Sequence, residues 1–225
     1  MKAMILAAGR GERMRPLTDA VPKPLLAVAG KPIITWTIER LARAGFNELV
    51  INHSHLGHLI ETTLGDGFQL GVSIHYSRET EALETAGGMA NALPLLGGEP
   101  FLAVNGDIYC DFDFGSLRMR QMGPELAHLV LVSNPDHHPE GDFALENGQV
   151  RNEGDARWTY SGIGVYRPEL LAQVRPGEKA RLAPLLRAAA ARGLVTGEIG
   201  PGAWYDIGTP GRLEWIERQL AARRA

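Results

Sequence analysis

Gly9-Arg10-Gly11-Glu12-Arg13-Met14-Arg15-Pro16-Leu17-Thr18, followed by Pro22-Lys23-Pro24, sets glycines, guanidinium groups and a proline-flanked ammonium close together after a short apolar run, Ala3 to Ala8. Glycine lets the backbone approach a ligand and turn its N–H groups inward. Arginine and lysine add positive charge and donors that match phosphate oxygens. Together they point to a polyphosphate, held where a buried strand ends.

Elements of regular structure must carry that loop. Residues 2–8 read as a buried strand stopped by glycine. A helix follows from Lys31-Pro32 to about Ala44, with Gly45 just past its end. Strands are expected over 48–52, 72–76 and 100–105, and helices over 56–64 and 84–96. This alternation signals βαβ units, hence an α/β fold with a mostly parallel sheet flanked by helices. Ligands in such sheets sit at the carboxyl ends of the strands. Gly9–Gly11, Ser77–Glu84 and Asn105–Asp107 all fall there and should share one crevice. The second half reads differently. A strand is expected over 126–133, a hairpin around Asn147-Gly148 within 144–150, and further strands over 160–166 and 204–207. Helices are expected over 182–191 and from Thr209-Pro210 to about Arg223. We expect one domain over 1–225, with a small antiparallel lobe over the same sheet from about residue 108.

The 225 residues are enough for one well-buried core, and a formal net charge of −3 with 22 % charged residues lacks the basic face of a nucleic-acid binder. No run approaches the ~18 apolar residues of a membrane span, and the apolar N-terminal stretch is too short for a signal peptide. A single cysteine, Cys110, excludes an internal disulfide. These features lead us to expect a cytoplasmic protein with neither nucleic-acid nor membrane partners.

The rival readings of the loop fail on single residues. A dinucleotide fold needs a small residue where Met14 stands. A Walker-type loop needs Gly-Lys-Ser/Thr, which is absent. His53, His55 and His58 cluster without an acidic partner at metal spacing, and His137-His138 reads as solvated. Nothing marks Cys110 as a nucleophile.

The loop instead resembles the signature of the sugar-1-phosphate nucleotidyltransferases, Gly-x-Gly-x-Arg-x-x-Pro-Leu-Thr followed by Pro-Lys-Pro. Glu84-Thr85-Ala86-Gly87-Gly88 is similar to the family's Leu-Gly-Thr-Ala-Gly motif, with Glu84 where the family has glycine. Trp204 to Pro210 resembles its late Trp-x-Asp-x-Gly-Thr-Pro motif. The resemblance implies a Rossmann-like nucleotide-diphospho-sugar transferase fold with a nucleotide-binding half, about 1–107, and a sugar-phosphate-binding half, about 108–225. It implies that Gly9, Gly11, Glu12, Arg13, Lys23, Glu79, Ala86 and Gly87 bind the nucleotide, with Arg13 and Lys23 catalytic. It makes Asp107 and Asp206 ligands of Mg²⁺, a cation usually held by one or two carboxylates plus phosphates. Asn105, Asp142 and Glu153 are the candidates for sugar contacts.

The lysine of the family's Glu-Lys-Pro segment has no counterpart near Glu153, which leaves the sugar phosphate to the metal or to Arg15 or Arg151. The family reaction joins an NTP and a sugar 1-phosphate and releases pyrophosphate. The chain resembles the family's short bacterial uridylyltransferases, which implies UTP and N-acetylmuramate α-1-phosphate, a monomer, and a role in peptidoglycan recycling. Mannose-1-phosphate guanylyl transfer and glucose-1-phosphate thymidylyl or uridylyl transfer stay open. So does a non-catalytic nucleotide-sugar sensor, although retention of Arg13, Lys23, Asp107 and Asp206 argues against it.

Overall fold

Three residues without exposed surface, Ala3, Met4 and Ile5, begin the first strand, β1 (Ala3–Leu6). Successive side chains of a strand face opposite ways. Ala3 and Ile5 accordingly join one hydrophobic cluster and Met4 another. Leu49 and Ile51 divide from Val50 in the same way, and Leu102 and Val104 from Phe101 and Ala103. The sheet is thus apolar on both faces and needs helices on both. The computed structural model describes residues 1–222; the end of the terminal helix expected at Arg223 lies outside them.

After β1 come 3₁₀ turns at Glu12–Met14 and Lys23–Leu25, a ribbon of β2 (Ala27–Val28) and β3 (Lys31–Pro32), helix α1 (Ile33–Arg43), β4 (Glu48–His53), α2 (Gly57–Leu64), β5 (Ser73–Arg78), α3 (Glu84–Leu96) and β6 (Phe101–Asn105). The second half holds β7 (Ile108–Cys110), α4 (Phe114–Arg118), β8 (Ala127–Val132), β9 (Phe143–Glu146), β10 (Gln149–Arg151), β11 (Arg157–Tyr166), α5 (Leu182–Ala191), β12 (Val195–Ile199), β13 (Trp204–Asp206) and α6 (Pro210–Ala222).

The main sheet runs β5-β4-β1-β6-β11-β8-β12-β10-β9. It is mixed, which corrects the expectation of a mostly parallel sheet. β5, β4, β1 and β6 are parallel as the βαβ pattern requires. β11 then enters antiparallel between β6 and β8. β12 lies parallel to β8, and the β9–β10 hairpin closes the edge antiparallel. The second half therefore extends the sheet laterally and does not form a lobe above it. The expected elements did not include α4 or β12. Val195-Thr-Gly-Glu-Ile has little apolar patterning of its own and is a strand because β8 and β10 flank it.

Register brings the functional loops together. Leu6 at the end of β1 lies beside Asn52 on one side and Asn105 on the other, so the segments leaving β1, β4 and β6 meet at one edge. β11 shifts register between Tyr160 and Ile163 as it passes that edge. A Cβ at Gly162 would lie 2.4 Å from Asn105 Nδ2, and the residue's φ is +79°, a combination that only glycine meets without strain. A third cluster, including Met14, Ile33, Tyr109, Ile207 and Ile216, packs α6 against the opening loop. Burying a side chain such as Met14 contributes roughly 1.5–3 kcal/mol. No helix among the described residues is long and apolar enough to cross a membrane.

Candidate active site

A cavity of about 620 Å³ lies at the convergent edge. Its walls come from residues 6–14, from Lys23 and Pro24, from Asn52, from Ala82, Glu84 and Thr85, from Asn105–Asp107, and from Lys179 and Gly208. Gly11 is left-handed at φ +66°, and its carbonyl accepts from Met14 N–H at 2.8 Å and from Thr18 Oγ at 2.8 Å. A left-handed residue followed by a right-handed turn forms a concave nest of N–H groups suited to anions. Pro22 precedes the 3₁₀ turn that opens with Lys23, and Pro24 lies within it. Lys23 is only 8 % exposed, and its Nζ contacts Asp107 Oδ2.

Asp107 and Asp206, far apart in the chain, are neighbours here. β13 pairs with β7 so that Asp206 faces Ile108, and Ile207 N–H donates to the Asp107 carbonyl at 3.0 Å. Asp206 Oδ1 contacts Arg212 Nη1 and lies 3.7 Å from His137 Nε2. A Cβ at Gly208 would meet Arg212 Nη1 at 2.9 Å and both Arg13 Nη2 and Asp206 Oδ2 at 3.4 Å, so these groups crowd one corner of the cavity. Carboxylates on Asp107, just before β7, and on Asp206 in β13 are ligands of the type a hard divalent cation takes alongside phosphate oxygens and water. Among the described residues no cluster of three or more potential protein ligands supplements them.

Gly9, Gly11, Glu12, Arg13, Lys23, Asn105 and Asp107 line the cavity, and Asp206 is not among its lining residues. Glu79, Ala86 and Gly87 do not line it either; they support its wall from behind. Both Glu79 oxygens are engaged, Oε1 by Asn52 Nδ2 at 2.6 Å and Oε2 by Leu83 N–H at 2.9 Å. Asn52 Oδ1 in turn accepts from Ala7 N–H at 2.9 Å, which ties β4 and the start of α3 to the glycine-rich loop. Burial pushes the Glu79 carboxyl up, against the pull of those hydrogen bonds. The N–H groups of Ala86 and Gly87 donate to the Ala180 carbonyl at 3.0 and 3.1 Å, fixing the segment that carries Lys179.

A second cavity of about 280 Å³ shares Glu84, Thr85 and Asn105 with the first. Asp142, Phe143, Tyr160, Arg181 and Arg187 also line it. Asp142 Oδ2 accepts from Tyr160 N–H at 2.8 Å, and Oδ1 lies 3.2 Å from His138 Nε2. Tyr160 and Tyr166 share a hydrogen bond at 2.5 Å, and burial raises both phenols. Glu153 is exposed in the turn after β10 and lines neither cavity.

Sequence reasoning singled out neither Lys179, Arg181 and Arg187, which line the cavities, nor Arg212, which contacts Asp206. Only the departure at Glu84 was a local signal, and there the structure shows φ +61° in a non-glycine residue. It also corrects the view of His53, whose Nε2 lies 2.7 Å from Glu61 Oε1. Arg78 pairs with the same carboxylate and, with His53, holds it down at about 2. Cys110 is buried, which raises its thiol.

A doubly covered sheet with a cationic, glycine-rich loop at the cavity that Asp107 lines suits a protein that handles nucleoside polyphosphates. The chain matches the nucleotidyl transferase family over residues 2–223 and belongs to it. It is 55 % identical to N-acetylmuramate alpha-1-phosphate uridylyltransferase from Neisseria meningitidis serogroup B, over 95 % of this chain and 96 % of that one. It is 34 % identical to the mannose-1-phosphate guanylyltransferase catalytic subunit beta of Dictyostelium discoideum, covering 93 % of this chain and 62 % of that protein. Among solved structures, a Bacillus anthracis protein assigned as a glucose-1-phosphate thymidylyltransferase superposes with a TM-score of 0.85 over 97 % of this chain and 94 % of that one, at 23 % identity. That likeness concerns the fold.

Proposed function

We propose that the chain transfers the uridylyl group of UTP to N-acetylmuramate α-1-phosphate, giving UDP-N-acetylmuramate and pyrophosphate. The observation that carries this reading is the 55 % identity to a relative of that activity across nearly the whole length of both chains. The division of the site supports it. The first half of the chain builds most of the larger cavity, for the nucleotide, and the second half most of the smaller one, for the sugar.

In the reaction a sugar-phosphate oxygen attacks the α-phosphorus in line. The new P–O bond forms as the bond to the bridging oxygen breaks, and pyrophosphate leaves with the electron pair. No covalent intermediate with the protein is required; catalysis is positioning and charge neutralisation. The nest at Gly9–Arg13 binds the triphosphate, Arg13 neutralises the departing pyrophosphate, and Lys23 faces the α-phosphate. Lys179, which lines the same cavity as Lys23, takes the sugar phosphate in place of the absent Glu-Lys-Pro lysine. Asp107 and Asp206 would hold Mg²⁺, which when bound neutralises phosphate charge. Asn105 and Asp142 accept sugar hydroxyls. We place the reaction in the cytoplasm, in reuse of cell-wall sugars.

Pyrophosphate release tests this directly, with UTP, GTP and dTTP each paired with the 1-phosphates of N-acetylmuramate, mannose and glucose in the presence of magnesium. UTP with the muramate should be fastest. A preference for GTP with mannose 1-phosphate would shift the assignment to the guanylyltransferases, and no release with any pair would favour a nucleotide-sugar sensor.

A further inference from the structure

We propose that Arg187 selects the sugar by binding the carboxylate of its lactyl ether, the group that separates a muramate from an ordinary N-acetylhexosamine. This rests on the uridylyltransferase reading above and extends it to a residue.

The smaller cavity has an apolar side, formed by Phe143, Leu182 and Leu186, and two guanidinium groups, Arg181 and Arg187. They are not equivalent. Both residues are exposed, but Arg181 Nε already has a carboxylate, Glu84 Oε1 at 4.0 Å. Arg187 has none within 4.0 Å among the described residues. Its guanidinium lies over the ring of Phe143, 5.2 Å from the centroid. Its helix is fixed on both sides: the preceding Leu186 is buried, and the Arg187 carbonyl accepts from Asn152 Nδ2 at 3.0 Å. Stacking on a ring face orients a guanidinium and leaves its in-plane N–H fork free, the arrangement that receives a carboxylate through two parallel hydrogen bonds.

The charge pattern says which anion. On that reading the reacting phosphate sits in the larger cavity, which Lys23 and Lys179 line. The smaller cavity shares only Glu84, Thr85 and Asn105 with the larger one. A neutral hexose would bring no negative charge there. A muramate brings one, since an ordinary carboxylic acid is ionised at neutral pH. Its methyl-bearing lactyl carbon also suits the Phe143 and Leu186 side of the cavity.

Steady-state kinetics with three sugar 1-phosphates test the proposal: N-acetylmuramate, its lactyl primary amide, and N-acetylglucosamine. With the native chain, the amide should raise KM about 10- to 100-fold over the acid, the range for losing a charge-assisted pair. Arg187→Ala should raise KM for the acid by a similar factor and add no further rise with the amide or with N-acetylglucosamine 1-phosphate. Arg187→Lys should fall between. The native-chain comparison of acid and amide stands even if a variant folds poorly. Equal KM values for acid and amide would overturn the proposal, as would an equal effect of Arg187→Ala on all three sugars. If the native chain turned over none of them, the uridylyltransferase reading itself would fall, and this inference with it.

Discussion

Asp107 carries the sharpest consequence at the scale of a single residue. Its carboxylate contacts Lys23 and shares a ribbon with Asp206. Asp107→Asn keeps the shape and removes the charge, so turnover should fall by about 10²- to 10³-fold. The melting temperature should move by only a few degrees, because the carboxylate is partly exposed. Near-normal turnover would remove Asp107 from the machinery. Glu84 is a second case. A non-glycine residue at φ +61° costs about 1 kcal/mol or more, and such strain persists mostly where function requires it. Glu84→Gly relieves the strain but adds freedom to the unfolded chain, worth ~0.4–1 kcal/mol. The two effects nearly cancel, so stability should hold while KM for the sugar phosphate rises. An unchanged KM would show that Glu84 is merely tolerated.

Between elements, the start of α3 and the segment before α5 act as a unit. Ala180 N–H donates to the Leu83 carbonyl at 3.0 Å, while the Ala180 carbonyl accepts from Ala86 and Gly87. A Cβ at Gly87 would sit 2.2 Å from the Glu178 carbonyl oxygen, which is main chain and cannot rotate aside. Gly87→Ala must therefore displace the segment bearing Lys179 and Arg181. We expect a loss of about 1–3 kcal/mol in urea unfolding and a raised KM for both substrates. Gly98→Ala, where an added methyl meets nothing within 4 Å, should change stability by less than ~0.5 kcal/mol. Equal effects in the two variants would mean that this packing does not govern the site.

Across the whole molecule, stability should depend on pH through His128. It sits on β8 in the interior of the sheet, 2 % exposed, with Nδ1 2.9 Å from Thr196 Oγ1. Burial first, and Arg120 second, push its imidazole down to about 4. The folded protein thus keeps His128 neutral, whereas the unfolded chain protonates it near 6.5. Its contribution is complete above pH 6.5 and is lost as pH falls toward 4, in total on the order of 3 kcal/mol. Glu61, held at about 2 by Arg78 and His53, adds a further loss below the ordinary glutamate range. His128→Gln should flatten the urea midpoint between pH 6.5 and 4 and leave the lower limb. An unchanged slope would place the dependence on other groups.

The opening loop was legible from sequence because its determinants are local. Glycine spacing, proline bracketing and adjacent positive charge need no distant partner to favour an anion site, and the period of β1, α1 and β4 follows from patterning within each segment. For the same reason the four parallel strands were readable as βαβ units. The antiparallel entry of β11 was not, because a strand's direction beside its neighbours depends on where the connecting chain returns. β12 was hidden because its backbone is stabilised by pairing with β8 and β10, and not by an apolar pattern of its own.

At the site, the residue types identified the chemistry, but tertiary structure decided which polar atoms remain free for a substrate. Glu79 belongs to a binding motif by sequence, yet Asn52 and Leu83 occupy both its oxygens. Arg187 has no motif at all, yet folding sets it over Phe143 at the smaller cavity. Whether a side chain binds or supports is settled by competition among neighbours brought together by long-range packing, and that competition is invisible along the chain.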